Sequence, residues 1–173
     1  MSGHQCQACQ SRRQFLSTGL MLGAGLLLPD WARAGGFKTL AGEVLIDGNG
    51  ASARSRIHAG SSIRTLAGGS TSFVIGNNAF LLRANSHVQF TPVKRSNVAI
   101  STLRLITGGL LSVFGPGPKK LLTSTATIGI RGTGVYMEAG EDSSYVCLCY
   151  GKVDLVANAS PTAQQLLEAT HHQ

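Results

Sequence analysis

Glycine-rich turn signals recur every eight to twelve residues beyond Gly35 and separate short runs of apolar and β-branched residues. Glycine accounts for 22 of the 173 residues, well above the usual share of about 7%. Val88 and Phe90 alternate with polar neighbours, as in a strand with one buried face, and Pro92 ends this run. Because helical periodicity is absent until the end of the chain, the pattern predicts an all-β fold of about a dozen short strands, arranged as a sandwich or a rolled, β-helix-like coil.

Two features modify the regular alternation of these runs. The run from Val98 to Ile106 changes face near Ser101-Thr102, which predicts a β-bulge. Gly108-Gly109 and Gly151 mark breaks, and each is expected to separate two short strands.

The composition changes after Val156, where the strand pattern stops. Ser160 is a suitable N-cap, Pro161 suits the first helical position, and helix formers follow from Ala163 to Thr170. The sequence therefore predicts a C-terminal tail, residues 157–173, that contains a short helix.

The N-terminal segment has the layout of a twin-arginine export signal. Arg12 and Arg13 stand just before Phe15, Leu16 and an uncharged run that ends at Leu28. That run is thirteen residues long, whereas a membrane-spanning helix takes roughly 20 apolar residues. We therefore expect export rather than anchoring.

A cleavage site follows this run. Pro29 ends it, and Ala32 and Ala34 supply the small residues that a signal peptidase recognises. Residues 1–34 are predicted to be the signal peptide, so the mature chain would begin at Gly35 and work in the periplasm. Removing 34 of 173 residues leaves 139, the usual size of one domain.

The charge of the mature chain is mildly basic, with 12 basic and 7 acidic residues and a net charge of +5. The basic residues are scattered, and the tight pairs Lys94-Arg95 and Lys119-Lys120 do not form the continuous stripe of a nucleic-acid groove. We expect no nucleic-acid partner. A weak attraction to anionic envelope polymers fits this charge.

Of the four cysteines, Cys6 and Cys9 would leave with the signal peptide, whereas Cys147 and Cys149 stay in the mature chain. The latter two share one face of a predicted strand, with Cα atoms about 6.5 Å apart and parallel side chains, which disfavours an internal disulfide. Because both faces of this strand are expected to be buried, the preferred interpretation is two thiols that act as small hydrophobic side chains. An intermolecular bond and a shared metal are the alternatives.

The metal alternative needs further ligands. His171 and His172 would complete a zinc-type set with Cys147 and Cys149 if the terminal helix folded back. Zinc or another transition metal is the only cofactor that the sequence suggests.

Arg131-Gly132-Thr133-Gly134 interrupts the strand pattern with an arginine next to glycines. Arg131 could present its guanidinium to an anionic ligand. The preferred interpretation is structural: the glycines permit a tight backbone corner, and Arg131 bonds carbonyl groups within it.

The sequence contains no recognisable catalytic arrangement. No pair of carboxylates stands on one predicted strand, the nucleophile-elbow pattern Gly-x-Ser-x-Gly is missing, and neither His58 nor His87 has the setting of a catalytic triad. We therefore expect a non-catalytic protein. The alternative is a metal- or cofactor-binding protein or an enzyme, because the twin-arginine route moves folded cargo.

Three stretches of residues 41–156 follow each other in a set order: Ala59–Thr65 with Ser70–Ile75, Leu81–Val88, and Leu105–Leu111 with Thr123–Ile130 and the Arg131-Gly132-Thr133 step that leads to Tyr136. In this order and spacing they resemble the FecR domain family of bacterial envelope proteins. The resemblance implies an all-β periplasmic module, which in the best-known members relays a transporter signal towards a sigma factor. This chain lacks the cytoplasmic regulatory domain of those members, so we expect a free-standing binding or signalling-accessory module whose partner is an envelope protein or an anionic envelope polymer.

Overall fold

The structure, a computed structural model, describes residues 35–94 and 96–170. These residues form fourteen β-strands and no helix, which confirms the all-β prediction. No helix that is long and apolar enough to cross a membrane occurs among them. The strands are β1 (Gly35–Ala41), β2 (Val44–Ile46), β3 (Asn49–Gly50), β4 (Arg56–Ile57), β5 (Ser62–Thr65), β6 (Ser70–Ile75), β7 (Asn78–Leu82), β8 (His87–Pro92), β9 (Ile100–Val113), β10 (Pro118–Leu122), β11 (Ala126–Arg131), β12 (Gly134–Ala139), β13 (Ser144–Ala157) and β14 (Ser160–Ala169).

The strands form two layers, which we call the front sheet and the back sheet. The front sheet has the order β4-β1-β6-β7-β9-β12-β13 and is antiparallel throughout. The back sheet has the order β3-β2-β5-β8-β9-β10-β11-β13-β14, with one parallel pair, β9 and β10. The architecture is therefore a sandwich whose sheets share two strands.

A single apolar core lies between the sheets. The strands alternate buried and more exposed residues, so each strand turns one row of side chains inward. The ring of Phe80 in the front sheet lies 5.0 Å from that of Phe90 in the back sheet, and Phe73 lies 5.9 Å from Phe90. These contacts hold the two sheets together.

β9 passes from the back sheet to the front sheet at Gly108, and β13 passes from the front sheet to the back sheet at Gly151. Gly108 has φ +80° and Gly151 has φ +98°, values that side chains other than glycine rarely adopt. A Cβ at Gly108 would lie 2.1 Å from Ser86 Oγ. The expectation of separate strands at these glycines is wrong, because each strand bends at its glycine and continues into the other sheet.

The predicted bulge near Ser101-Thr102 is confirmed. In the pairing of β8 with β9, Thr91 lies opposite Thr102 and Pro92 lies opposite Ile100, so Ser101 has no opposing residue. Ser101 instead donates its hydroxyl to the carbonyl groups of Thr91 and Pro92.

The predicted C-terminal helix is wrong, because residues 160–169 form strand β14 along the edge of β13. Leu166 is 70% exposed whereas Ala169 is buried, as expected for a strand at the sheet edge. Pairing satisfies the backbone groups on this edge of β13, which outweighs helix preferences of roughly a few tenths of a kcal/mol per residue. The sandwich therefore extends beyond the predicted range 41–156 at both ends, because β1 (Gly35–Ala41) and β14 (Ser160–Ala169) belong to it.

Candidate functional site

The outer face of the front sheet carries apolar side chains that are open to solvent. Leu81 on β7 lies opposite Leu111 on β9, Leu111 lies opposite Tyr136 on β12, and Tyr136 lies opposite Cys147 on β13. Leu81 is 44% exposed, and Val113, farther along β9, is 41% exposed. We call Leu81, Leu111, Val113, Tyr136 and Cys147 the apolar row.

A polar cluster adjoins the apolar row. Arg83 Nη1 donates to the Tyr136 hydroxyl over 3.0 Å, and this hydroxyl donates to Glu138 Oε1. Arg83 and Glu138 also form an ion pair at 3.8 Å. The Tyr145 ring meets the Tyr136 ring edge-on, with 6.4 Å between the ring centroids. Arg83, Glu138 and Tyr145, with Gly109 between them, line an open cavity of about 500 Å³.

The electrostatics of this cluster keep Tyr136 neutral. Burial raises the pKa of Tyr136 above its ordinary value, as does the hydrogen bond to Glu138, while the hydrogen bond from Arg83 opposes the change. The bond to Tyr136 also raises the pKa of Arg83. At neutral pH the cluster therefore presents a guanidinium that donates to a neutral phenol, and this phenol donates in turn to Glu138.

Cys147 and Cys149 lie on β13 at the edge of this outer face, and both are half-buried. The expectation that both faces of this strand are buried is wrong. Leu148 is buried in the core, whereas Cys147 and Cys149 are half-buried and Tyr145, on the same face as the cysteines, is 56% exposed. Burial raises the pKa of Cys149, as does the proximity of Cys147, and a backbone hydrogen bond from Tyr136 opposes the change.

The proposed zinc ligands are only partly placed. His171 and His172 lie outside the described residues, and the helix that was to carry them towards the cysteines is a strand. That strand ends at Ala169, which pairs with Gly151. Within the described part of the chain, no group of three or more His, Cys, Asp or Glu residues is arranged to hold a metal ion.

Arg131 ends β11 and is exposed, with no side-chain hydrogen bond or ion pair to the residues that the structure describes. The corner after it depends on the next residues. Gly132 has φ +62°, and the buried Thr133 donates its hydroxyl to the Lys152 carbonyl over 3.3 Å. The carbonyl bonds expected from Arg131 are thus absent there, and Thr133 supplies the side-chain contact instead.

Of the two histidines without a recognisable triad setting, His58 is exposed in the loop after β4, and its backbone N–H donates to Ser61 Oγ over 3.1 Å. His87 Nε2 lies 2.8 Å from Ser62 Oγ on the neighbouring strand β5. Burial lowers the pKa of His87, and the positive charge of Arg64 lowers it further.

The export-signal residues Arg12, Arg13, Phe15, Leu16, Ala32 and Ala34 lie outside the described residues.

Sequence reasoning missed the cluster of Arg83, Tyr136 and Glu138. Arg83 and Tyr136 are 53 positions apart, and only the pairing of β7, β9 and β12 brings them together. The alternation in β12 could have shown that Tyr136 and Glu138 share a face, since their neighbours Val135, Met137 and Ala139 are apolar.

No protein-family model matches the chain, and no curated protein matches it. Two crystal structures from Parabacteroides distasonis, provisionally described as an anti-sigma factor, align with TM-scores of 0.49 and 0.48 at 14% sequence identity. Each alignment covers 65% of this chain, and 57% and 56% of the respective crystallised chains, so this chain matches little more than half of their length. A likeness of this degree supports no argument about function.

Proposed function

We propose that this chain is an exported, non-catalytic binding module of the bacterial envelope, which holds an envelope protein through the outer face of its front sheet. The FecR resemblance supports the location and a role accessory to signalling. The observation that carries the proposal is the apolar row beside the cluster of Arg83, Tyr136 and Glu138.

The composition of this face is typical of a protein interface. Exposed apolar side chains that adjoin each other across several strands are uncommon on soluble proteins unless they bind something. Tyrosine and arginine are also the residues that most often contribute large binding energies at interfaces. Tyr136 and Arg83 are held in place by their mutual hydrogen bond, so little conformational entropy would be lost when a partner binds.

The test uses the purified full-length protein as bait for a detergent-solubilised envelope extract of the same bacterium. Leu81→Lys and Val113→Lys each place a charge on the apolar row. Leu166→Lys is the matched control, because Leu166 is 70% exposed but lies on β14 in the other sheet. All three variants should fold, since their side chains are exposed.

We expect the wild type and Leu166→Lys to retain one envelope protein. Leu81→Lys and Val113→Lys should bind it at least about thirtyfold more weakly, the equivalent of ~2 kcal/mol at the centre of an interface. Binding should persist at salt concentrations well above physiological, because apolar contacts are not screened. Two results would contradict the proposed surface and favour an anionic polymer as the partner. One is equal recovery of the envelope protein by all variants, and the other is loss of wild-type binding when only the salt concentration is raised.

A further inference from the structure

Basic residues that are far apart in the sequence lie together on the outer face of the back sheet. Four strands of this sheet each contribute one exposed cation: Arg64 on β5, Arg104 on β9, Lys120 on β10 and Arg131 on β11. Each of these residues stands next to a buried apolar residue of its strand. Because side chains alternate between the two faces of a strand, all four cations point away from the core.

The first two arginines are linked through β8. Arg64 lies opposite His87, and Gln89, two positions farther along β8, lies opposite Arg104. Arg104 is therefore two strands away from Arg64 and one outward-facing position farther along the strands. The two arginines stand on a diagonal of the sheet.

The same diagonal continues across the next two strands. Lys120 on β10 lies opposite Thr102, which is two positions from Arg104 on β9. Arg131 on β11 lies opposite Pro118, which is two positions from Lys120 on β10. Each of these steps is one strand across and two residues along, or roughly 8 Å between Cα atoms, and neither pairing contains a register shift. We call the four cations the basic stripe: Arg64, Arg104, Lys120 and Arg131.

The charge of the basic stripe is not balanced by acidic residues beside it. β5, β8, β9, β10 and β11 contain no aspartate or glutamate. The ion pairs between residues that the structure describes are Arg83–Glu138 and Lys152–Glu168, and neither includes a residue of the stripe. Asp154, on the neighbouring strand β13, accepts a hydrogen bond from Gln164 over 2.6 Å. The stripe therefore presents positive charge along one line, which attracts an anionic chain.

The residues beside the basic stripe favour a polysaccharide among the anionic chains. The outward-facing neighbours on β8 and β9 are polar and uncharged, namely Gln89, Thr91, Thr102 and Thr107. Their amide and hydroxyl groups can exchange hydrogen bonds with sugar hydroxyls. The one Phe, Tyr or Trp residue in these five strands is Phe90, which is buried in the core, so this face offers no such ring on which nucleic-acid bases could stack. Cations in one line also match a linear chain better than the plane of lipid headgroups.

We propose that the basic stripe binds an acidic polysaccharide of the cell envelope, with the sugar chain running diagonally across the back sheet. Arginine donates paired hydrogen bonds to an anionic group, and lysine adds a point charge. Each exposed contact is weak by itself, so the affinity comes from several contacts to one chain. The stripe and the apolar row lie on opposite outer faces of the sandwich, so the polysaccharide site is independent of the proposed protein partner.

The test is calorimetric titration of the purified full-length protein with polygalacturonate, in which each sugar carries one carboxylate. Methyl-esterified polygalacturonate is the matched control polymer, because it has the same sugar chain without the charges. We expect binding of the acidic polymer only. Its affinity should fall as the salt concentration rises, because exposed charge contacts are screened.

Charge-reversal variants locate the binding surface. Arg104→Glu/Lys120→Glu reverses the centre of the basic stripe and should weaken binding at least about thirtyfold, because like charges then face each other. Lys38→Glu/Arg56→Glu is the matched control, since it changes the net charge equally at exposed positions of β1 and β4 in the front sheet. This control and Leu81→Lys, which alters the apolar row, should bind the polysaccharide like the wild type. Circular dichroism confirms that all variants remain folded.

Three results would overturn the proposal. The first is an absence of binding to polygalacturonate, and the second is equal weakening by the two charge-reversal variants, which would mean that only net charge matters. The third is tighter binding to vesicles that contain phosphatidylglycerol, or to single-stranded DNA, than to the polysaccharide. That result would assign the basic stripe to a membrane surface or to a nucleic acid.

Discussion

Gly108 lies at the bend where β9 changes sheets, and Gly108→Ala tests whether this bend depends on a residue without a side chain. The new Cβ would lie 2.1 Å from Ser86 Oγ, 2.6 Å from Ser86 Cα and 2.7 Å from the Asn85 carbonyl oxygen. Ser86 has little room to move, because it is buried and its hydroxyl accepts a hydrogen bond from the Gly109 N–H over 2.9 Å.

The expected loss of stability has two contributions. A φ of +80° costs an alanine about 1–2 kcal/mol. Overpacking against a buried backbone costs about 1–3 kcal/mol more. The sum of about 2–5 kcal/mol corresponds to a melting temperature lower by roughly 6–15 °C for a domain of this size, at about 3 °C per kcal/mol.

Gly48→Ala is the matched control. Gly48 has φ +84°, but a Cβ there would meet nothing within 4 Å. This variant therefore isolates the backbone contribution, with a melting temperature lower by about 3–6 °C. Thermal unfolding of both variants followed by circular dichroism measures the difference. Equal losses would refute the steric argument and mean that Ser86 moves away at little cost.

Four other predictions concern the core, two surface residues and the export signal. Ser112 Oγ is buried without a hydrogen-bond partner among the described residues, so Ser112→Ala should raise the free energy of unfolding by about 1 kcal/mol. Chemical denaturation measures this change, and a lower free energy of unfolding in the variant would reveal a partner for the hydroxyl. Folding holds the pKa of His87 below its ordinary value of 6.5, so the unfolded chain binds a proton at a higher pH than the folded protein does. The contribution of His87 to stability is therefore fully present above pH 6.5 and should be lost as the pH falls below 6.5. His87→Gln should flatten this part of the stability curve, and an unchanged curve would assign it to other groups. Arg131→Ala should change the free energy of unfolding by less than about 0.5 kcal/mol, because the side chain is exposed and makes no hydrogen bond or ion pair with the described residues. A loss above about 1 kcal/mol would restore its structural role. Replacing Arg12 and Arg13 by lysine should leave the precursor in the cytoplasmic fraction, and undiminished export on a cell-fraction blot would remove the basis for the periplasmic location.

The local features of the fold were predictable from the sequence. The bulge at Ser101 and the end of β8 at Pro92 follow from alternation and from the missing N–H of proline. These features depend on a few neighbouring residues, so a single sequence contains the information.

Features that depend on distant pairing were not predictable. A glycine that separates two strands and a glycine that bends one continuous strand give the same local sequence pattern. At Gly108 only the pairing of β9 with β8 on one side and with β7 on the other shows that the strand is continuous. The helix formers of β14 were misleading for the same reason, since the free edge of β13 determined their conformation. Cys147 and Cys149 were predicted to lie on a strand that is buried on both faces. The residue types of a strand do not show whether another layer covers its outer face, so this prediction was wrong.

The two shared strands also affect the order in which a growing chain can close its sheets. β9 is paired by β7 and β8, which precede it, and by β10 and β12, which follow it. A nascent chain that ends after residue 113 therefore exposes one unpaired edge of β9 in each layer, and unpaired edges are sites of aggregation. The front sheet receives its last strand, and the back sheet its last two, only from residues 144–169. Crossing the inner membrane as a folded protein, as the proposed twin-arginine route allows, would leave these edges covered before the chain reaches a compartment without ribosomes or ATP-driven chaperones.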